Sequence, residues 1–331
     1  LGKHIGVDLG TVNVLIHVNG KGIVINEPSV VAINNKTGEV LAVGKDARDM
    51  IGRTPSDITI VKPMKDGVID NFQIVQEMLH FFLQKLNLKT FFSRPKILIC
   101  CPTNITSVEQ KAIREVAEKS GGKQVFLEEE PKIAAIGAGM NIFEPSGNMV
   151  IDIGGGTADV AVLSMGDIVT SRSVKIAGTQ WDKDIMQYIK RKYNLLIGER
   201  TAESLKVNIG TAIKDIRTET MDVRGRDLVS GLPSTITVSS NEVEEAIHNS
   251  LYDIIQAAKQ VLETTPPELS ADIIDRGIIM TGGGSLLYGL DHLIAEQLKV
   301  PVFIADHSLE VVAIGTGILL ESTAKKRRRW F

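Results

Sequence analysis

Cysteine is scarce in this chain. There are two in 331 residues, Cys100 and Cys101, and they are adjacent. They sit inside the apolar run Ile97-Leu98-Ile99-Cys100-Cys101. Strand neighbours point to opposite faces, so a disulfide between them fits poorly. Buried thiols in a reducing compartment are the expectation. The six histidines (His4, His17, His80, His248, His292, His307) show no ligand spacing, so no zinc site is expected. No Walker A pattern is present, which excludes P-loop chemistry. No stretch approaches the length of a membrane span, and none reads as a signal peptide, so a cytoplasmic protein is expected. A net charge of −3 argues against bulk nucleic-acid binding, and no nucleic-acid partner is expected. The hydrophobic share of 43% and charged share of 23% are ordinary for a globular chain of about two domains.

What is present centres on Met149-Val150-Ile151-Asp152-Ile153-Gly154-Gly155-Gly156-Thr157-Ala158-Asp159-Val160-Ala161-Val162. An apolar, β-branched run leads in, a carboxylate stands near its end, glycines follow, and a second apolar run returns. Strand, glycine turn, strand is a hairpin whose tip lacks side chains, so its N–H groups can converge on an anion. Asp152 would repel a phosphate directly but suits a hydrated Mg²⁺ that neutralises one. Taken alone, an ordinary hairpin turn is the better reading. The pattern recurs, however, in Ile5-Gly6-Val7-Asp8-Leu9-Gly10-Thr11-Val12-Asn13-Val14-Leu15-Ile16. The spacing is too long for a solenoid and suggests two similar halves, whose hairpins would clamp a polyphosphate. A third glycine turn follows a strand in Gly277-Ile278-Ile279-Met280-Thr281-Gly282-Gly283-Gly284-Ser285-Leu286.

Between these signals the chain reads as α/β. A helix is predicted from Asp70, with Val75, Met78, Leu79, Phe82, Leu83 and Leu86 on one face. A loop containing Leu88, Phe91 and Phe92 follows, then a core strand over 96–101. Thr106 to Glu109 is a capping box. Gln124 to Leu127 is a strand running into Glu128-Glu129-Glu130-Pro131, and Pro131 suits a first helical position. Glu130 thus stands at a strand-to-helix junction, where α/β folds place active residues. A solvated helix start is the plainer reading for Glu128 or Glu129. Thr179 to Asp182 reads as another helix start, 199–209 as a helix carrying Glu203 and Lys206, and 241–263 as the longest helix. A polar, Gly/Pro-punctuated stretch near 34–66 and a strand-like, Gly/Pro-punctuated one at 221–238, within about 182–247, read as two small lobes.

These residues resemble a known superfamily. Asp8-Leu9-Gly10-Thr11, Glu130-Pro131, Asp152-Ile153-Gly154-Gly155-Gly156-Thr157 and Thr281-Gly282-Gly283-Gly284 are similar, in this order, to actin, Hsp70 and the sugar kinases. Within it the chain resembles the MreB family of bacterial actins along essentially its whole length. Asn26-Glu27-Pro28-Ser29, Lys65-Asp66-Gly67-Val68-Ile69 and Gly198-Glu199-Arg200-Thr201-Ala202-Glu203 add to the match. The stretch from Cys100 to Thr106 looks most like the Mbl-type branch.

The resemblance implies two RNase H-like halves around a nucleotide cleft, with four subdomains. The first half would take 1–138 plus 316–331, and the second 139–315. It implies ATP and Mg²⁺ as ligands. Gly10, Thr11 and Asn13 would hold phosphates through the first hairpin, and Gly154, Gly155, Gly156 and Thr157 through the second. Asp8 and Asp152 would hold the Mg²⁺ through water. Glu130 would position the hydrolytic water, and Asp159 would help polarise it. Glu203 and Lys206 would lie near ribose and base, and Gly282, Gly283, Gly284 and Leu286 along the adenine. Leu88, Phe91 and Phe92 would insert into a membrane.

The function implied is that of a cytoskeletal ATPase. It would polymerise with itself into paired protofilaments on the inner face of the cytoplasmic membrane. There it would act with the cell-wall elongation machinery to direct peptidoglycan synthesis and rod shape. A small-molecule kinase of the same superfamily is the alternative, but the short lobes leave little room for a polyol site. A chaperone ATPase would need a substrate domain after the last core helix, and length argues against it.

Overall fold

The computed structural model describes residues 4–86, 95–101 and 106–328, with side chains described as far as residue 322. The first apolar hairpin is β1 (His4–Leu9) and β2 (Asn13–Val18), and β3 (Gly22–Pro28) adds beside β2. A small sheet follows from β4 (Val31–Asn34), β5 (Val40–Val43), helix α1 (Lys45–Asp49) and β6 (Ile58–Val61). Its own minor core centres on Val30, Ala32 and Ala47. The two-residue strands β7 (Met64–Lys65) and β8 (Val68–Ile69) then lead to α2 (Phe72–Lys85). The Asn71 side chain caps α2, accepting from the Ile74 N–H at 3.1 Å. The face the spacing predicts is the buried one, with Val75, Met78, Leu79, Phe82 and Leu83 inside. Next come β9 (Lys96–Cys101), α3 (Ser107–Lys119), β10 (Gln124–Glu129) and α4 (Glu130–Gly137). Thr106 and Glu109 form the expected capping box on α3. Cys100 and Cys101 are free and buried in separate cores on opposite faces of β9.

The second half repeats the plan. Strands β11 (Asn148–Ile153), β12 (Ala158–Ser164) and β13 (Asp167–Val174) form an antiparallel meander. Helix α5 (Gly178–Tyr193), β14 (Leu195–Leu196), α6 (Glu199–Ile209), β15 (Thr220–Asp227) and β16 (Pro233–Ser239) build the second small lobe. The long α7 (Ser240–Thr264) returns to the main body, followed by α8 (Pro267–Arg276) and β17 (Ile278–Thr281). A 3-10 turn at Gly283–Leu286, α9 (Leu290–Leu298), β18 (Val302–Ile304) and α10 (Val311–Arg328) complete it.

The two main sheets have one topology. Their strand orders are β10-β9-β1-β2-β3 and β13-β12-β11-β17-β18. In each, the first three strands in sequence are antiparallel, and the last two join in parallel beside the first. This is the two-halved, RNase H-like α/β architecture that the resemblance implies. Strands β11 and β12 are buried on both faces, which is why they read as continuous apolar runs. Met149, Ile151 and Ile153 enter the large core of the second half. Val150 faces a core shared with Leu98, Cys100, Ile133 and Val312, so one apolar cluster joins both halves at the base of the cleft.

One expectation needs correction. The Thr179 hydroxyl does not cap α5, which begins at Gly178 with Ala177 at its N-cap and no side-chain cap bond. The reason is electrostatic: the Asp182 carboxylate is held 2.8 Å from Lys206 Nζ instead of turning back to the helix start. Pro266-Pro267 directly follows the end of α7, and Pro267 also opens the next helix by supplying the preset φ of the first turn of α8. The loop bearing Leu88, Phe91 and Phe92 lies outside the described residues.

Helices α4 and α10 cross at glycines. A Cβ on Gly137 would stand 1.9 Å from the Val311 carbonyl oxygen, and one on Gly315 would stand 2.1 Å from that of Ile133. Both obstacles are backbone and cannot swing away. Gly to Ala within a helix ordinarily stabilises by about 1 kcal/mol. Here the sign should reverse, with Gly137→Ala losing about 1–3 kcal/mol through overpacking. Urea unfolding of the two proteins checks this, and a gain in stability would show that the crossing is loose.

Candidate functional site

The site grows from the ends of β1 and β11. Each hairpin closes with the same backbone bond, Gly10 N–H to the Asn13 carbonyl at 3.1 Å and Gly154 N–H to the Thr157 carbonyl at 2.9 Å. The tips touch. A Cβ on Gly155 would lie 2.1 Å from Val12 Cγ2, and one on Gly156 would lie 2.5 Å from Thr11 Oγ1. Side-chain-free backbone is therefore required where the halves meet. The β7–β8 turn joins them, because the Gly67 N–H donates to Thr11 Oγ1 at 3.0 Å. Ser29 Oγ braces the first tip by donating to the Gly10 carbonyl at 2.7 Å.

These tips border a cavity of about 590 Å³ between the halves. Asp8, Gly10, Thr11, Asn13, Glu130, Asp152 and Gly154 to Thr157 line this cavity, and Glu203, Lys206, Gly282 to Gly284 and Leu286 line the same space. Asp159 is the exception. It is buried on β12 directly opposite Asp152 in the hairpin register, behind the lining. Three stretches far apart in sequence are thus brought to one cavity.

The floor is acidic. Burial pushes the Asp8 carboxyl up to about 7, and the neighbouring Asp152 charge adds to the effect. Burial likewise raises Asp152 to about 6, although Thr281 Oγ1 donates to its Oδ1 at 2.7 Å and pulls the other way. Glu130 is held well above the usual carboxylate range by burial, then by the charges of Asp152, Asp8 and Asp159. Among the described residues no lysine or arginine pairs with Asp8, Glu130 or Asp152. The Cys100 thiol beside them is pushed far up by burial and then by Asp8, so it is no nucleophile. Glu128 is not freely solvated as its position suggests, since Lys132 lies 3.2 Å from it one turn on.

The opposite wall is cationic and amphipathic. Lys206 Nζ donates to the Gly178 carbonyl at 2.9 Å and pairs with Asp182, which fixes α6 against the start of α5. Arg217 lies over the Tyr288 ring at 5.4 Å, and both line the cavity beside Leu286. Arg48 and Lys62 reach in from the first small lobe. None of Thr281, Arg217, Tyr288, Arg48 and Lys62 stood out in the sequence as a site residue. Thr281 carried a signal, because it precedes the third glycine turn as Asp152 precedes the second. The others carried none.

The raised acids fix a pH dependence. Asp8 has an ordinary value of 3.8 and about 7 when folded, so between these the native state keeps a proton that the unfolded chain releases. Its contribution is fully present below the unfolded value and is lost as pH rises through the folded one. With chelator present, the thermal midpoint should fall across this window. Asp8→Asn should remove that part of the fall and give the higher midpoint at neutral pH. Calorimetry against pH tests it, and parallel curves for both proteins would refute the linkage.

Comparison with known proteins agrees with this geometry. The family model described as MreB/Mbl protein matches residues 2–328. The cell shape-determining protein Mbl of Bacillus subtilis (strain 168) is 65% identical over 327 residues, spanning 99% of this chain and 98% of that protein. The cell shape-determining protein MreB of Escherichia coli (strain K12) is 47% identical over 322 residues, spanning 96% and 93%. Among solved structures, MreB5 of Spiroplasma citri bound to AMPPNP superposes with a TM-score of 0.94 at 42% identity, covering 100% of this chain and 99% of that one. A MamK double helical filament superposes at 0.84 with 20% identity over 97% and 99%, a likeness of fold alone. The fold is accordingly actin-like, and the chain belongs to the MreB/Mbl family.

Proposed function

We propose that this protein is an actin-like cytoskeletal ATPase that polymerises and takes part in determining cell shape. The observation that carries the reading is the pairing of two equivalent glycine-tipped hairpins over a shared acidic floor. The similar MreB5 of Spiroplasma citri has been solved bound to AMPPNP and bound to ADP, which supports a nucleotide in the matching cavity. The backbone N–H groups of Gly10 to Asn13 and Gly154 to Thr157 would hold the phosphates. Glu203 and Lys206 would meet the ribose and base, with Gly282, Gly283, Gly284 and Leu286 along the adenine.

The donor set fits a magnesium ion. Asp8 and Asp152 are hard oxygen donors whose charge is not offset by a described cation, and their raised pKa values mark a cost of ionisation that a dication would relieve. Among the described residues no cluster is arranged to cage a metal directly, so both aspartates would act through its waters. Bound there, hydrated Mg²⁺ would supply the positive charge that phosphoryl transfer needs. Glu130 would orient water toward the terminal phosphate and accept its proton, and Asp159 would support it from behind. A sugar kinase would need a second substrate pocket beside the phosphates, and no observation favours that reading.

Glu130→Ala should keep nucleotide binding and assembly while phosphate release falls about 10²–10⁴-fold. Hydrolysis at the native rate would remove Glu130 from this role. Pelleting with ATP, beside a sugar-dependent ADP assay, separates the filament reading from the kinase.

A peripheral place on the inner membrane face belongs to the same proposal, as do paired protofilaments and contact with the wall-elongation machinery. Among the described residues no helix is long and apolar enough to cross a membrane. Leu88, Phe91 and Phe92 would supply the anchor, beside the cations Lys89 and Arg94. Filament repetition would raise a weak single contact to useful avidity. Changing Phe91 and Phe92 to Ser should abolish liposome co-sedimentation and spare ATP-driven assembly. Retained lipid binding, lost only when residues 325–331 are deleted, would move the anchor to the basic tail.

A further inference from the structure

The two ends of the cleft are held by different physics. At the base, one apolar cluster spans both halves, joining Leu98 and Cys100 to Val150 and Leu163 through α4 and α10. At the mouth, the first small lobe faces α6 of the second half. No hydrophobic cluster among the described residues bridges them: the first small lobe keeps its own minor core, and α6 packs into the large core of the second half. What crosses is charge. Arg48 Nη2 donates to Glu203 Oε2 at 2.7 Å, Lys62 pairs with Glu199, and Arg200 lies 3.6 Å from Asp49. The signs alternate along α6 as acid, base, acid, and the facing lobe presents the complement at each place. Glu199 and Glu203 stand one turn apart on a single helix face, so one rigid element carries two of the contacts.

We propose that these three ion pairs form an electrostatic clasp that closes the mouth of the cavity and sets how long its occupant stays. Five of the six side chains line the cavity, so the pairs stand at its border and an occupant leaving on that side must pass them. Each pair is half exposed, and pairs of this kind contribute at most about 1 kcal/mol alone. Such a clasp opens readily, whereas the apolar base remains shut and serves as the hinge. Its strength depends on ionic strength, as that of buried apolar contacts does not. The occupant is the nucleotide of the proposed function, and the clasp's effect on residence time rests on that reading.

The test uses the full chain and the Lys62–Glu199 pair, which lines the rim of the cavity and carries no assigned contact to the phosphates, the base or the catalytic water. Stopped-flow release of a fluorescent ATP analogue is measured for Lys62→Glu, Glu199→Lys and the double exchange. Each single reversal should speed release about three- to tenfold, and the exchange should return it to near the native rate. Added salt should speed native release. A second readout needs no nucleotide: spin labels at Thr37→Cys and Val229→Cys, both exposed in opposite small lobes, report the width of the mouth. Cys100 and Cys101 are buried and leave the labelling clean. The distances should broaden in the single reversals and narrow again in the exchange. Unchanged release and distances in both singles would overturn the clasp, as would an exchange no better than its parents. If the native chain bound no nucleotide but the distances behaved as expected, the clasp would stand and the nucleotide reading would fail.

Discussion

Like charges held together against their repulsion are the constraint on which this structure depends. Asp8, Glu130, Asp152 and Asp159 converge from both halves, and burial together with mutual repulsion raises the pKa values of the first three above the ordinary carboxylate range. No fold would gather these groups for its own stability, since each would be better solvated apart. The two apolar sheets and the shared core at the base must hold them there. A site that costs stability when empty is one that gains it on filling, through the ordinary linkage between binding and folding.

Duplication supplies the geometry economically. One sheet order, built twice, places one aspartate and one glycine tip in equivalent positions on either side of the cavity. The tips approach so closely that a methyl group at Gly155 or Gly156 would collide with Val12 or Thr11. The hairpins therefore act as a matched pair, and a ligand between them contacts both halves at once. A ligand that bridges both tips would in this way tie occupancy to the angle between the halves, which is what the proposed coupling of nucleotide to polymerisation needs.

Local chemistry made much of this legible. The stripe from Val75 to Leu83, the Thr106 capping box and the two Asp-x-Gly hairpins each follow from spacing that a helix or strand imposes on its buried face. The recurrence of the hairpin already suggests that two tips clamp one ligand, whereas the roles of Glu130 and of the third glycine turn beside them come from the resemblance. Asp8 and Asp152 look alike in sequence, but nothing in a one-dimensional pattern says that Glu130 joins them in one buried, mutually repelling cluster. Short elements escaped for a simpler reason: β14 has two residues, too few to show a period. The Thr179 start of α5 misled because a capping pattern competes with tertiary charge, and Lys206 took Asp182.

The pairs at the cleft mouth show where such reading stops. Arg48 and Glu203 are separated by 155 residues, and Lys62 and Glu199 by 137. A charged residue on an exposed helix face is ordinarily a solvated one, and each of these six would pass as such alone. Only their opposition across a gap, sign against sign, distinguishes them from surface charge. The apolar core at the base obeys the opposite logic, because its residues announce themselves by hydrophobicity wherever they fall. A chain with a legible hinge and an illegible clasp follows directly from this difference: burial leaves a periodic trace in sequence, whereas pairing between exposed charges leaves none.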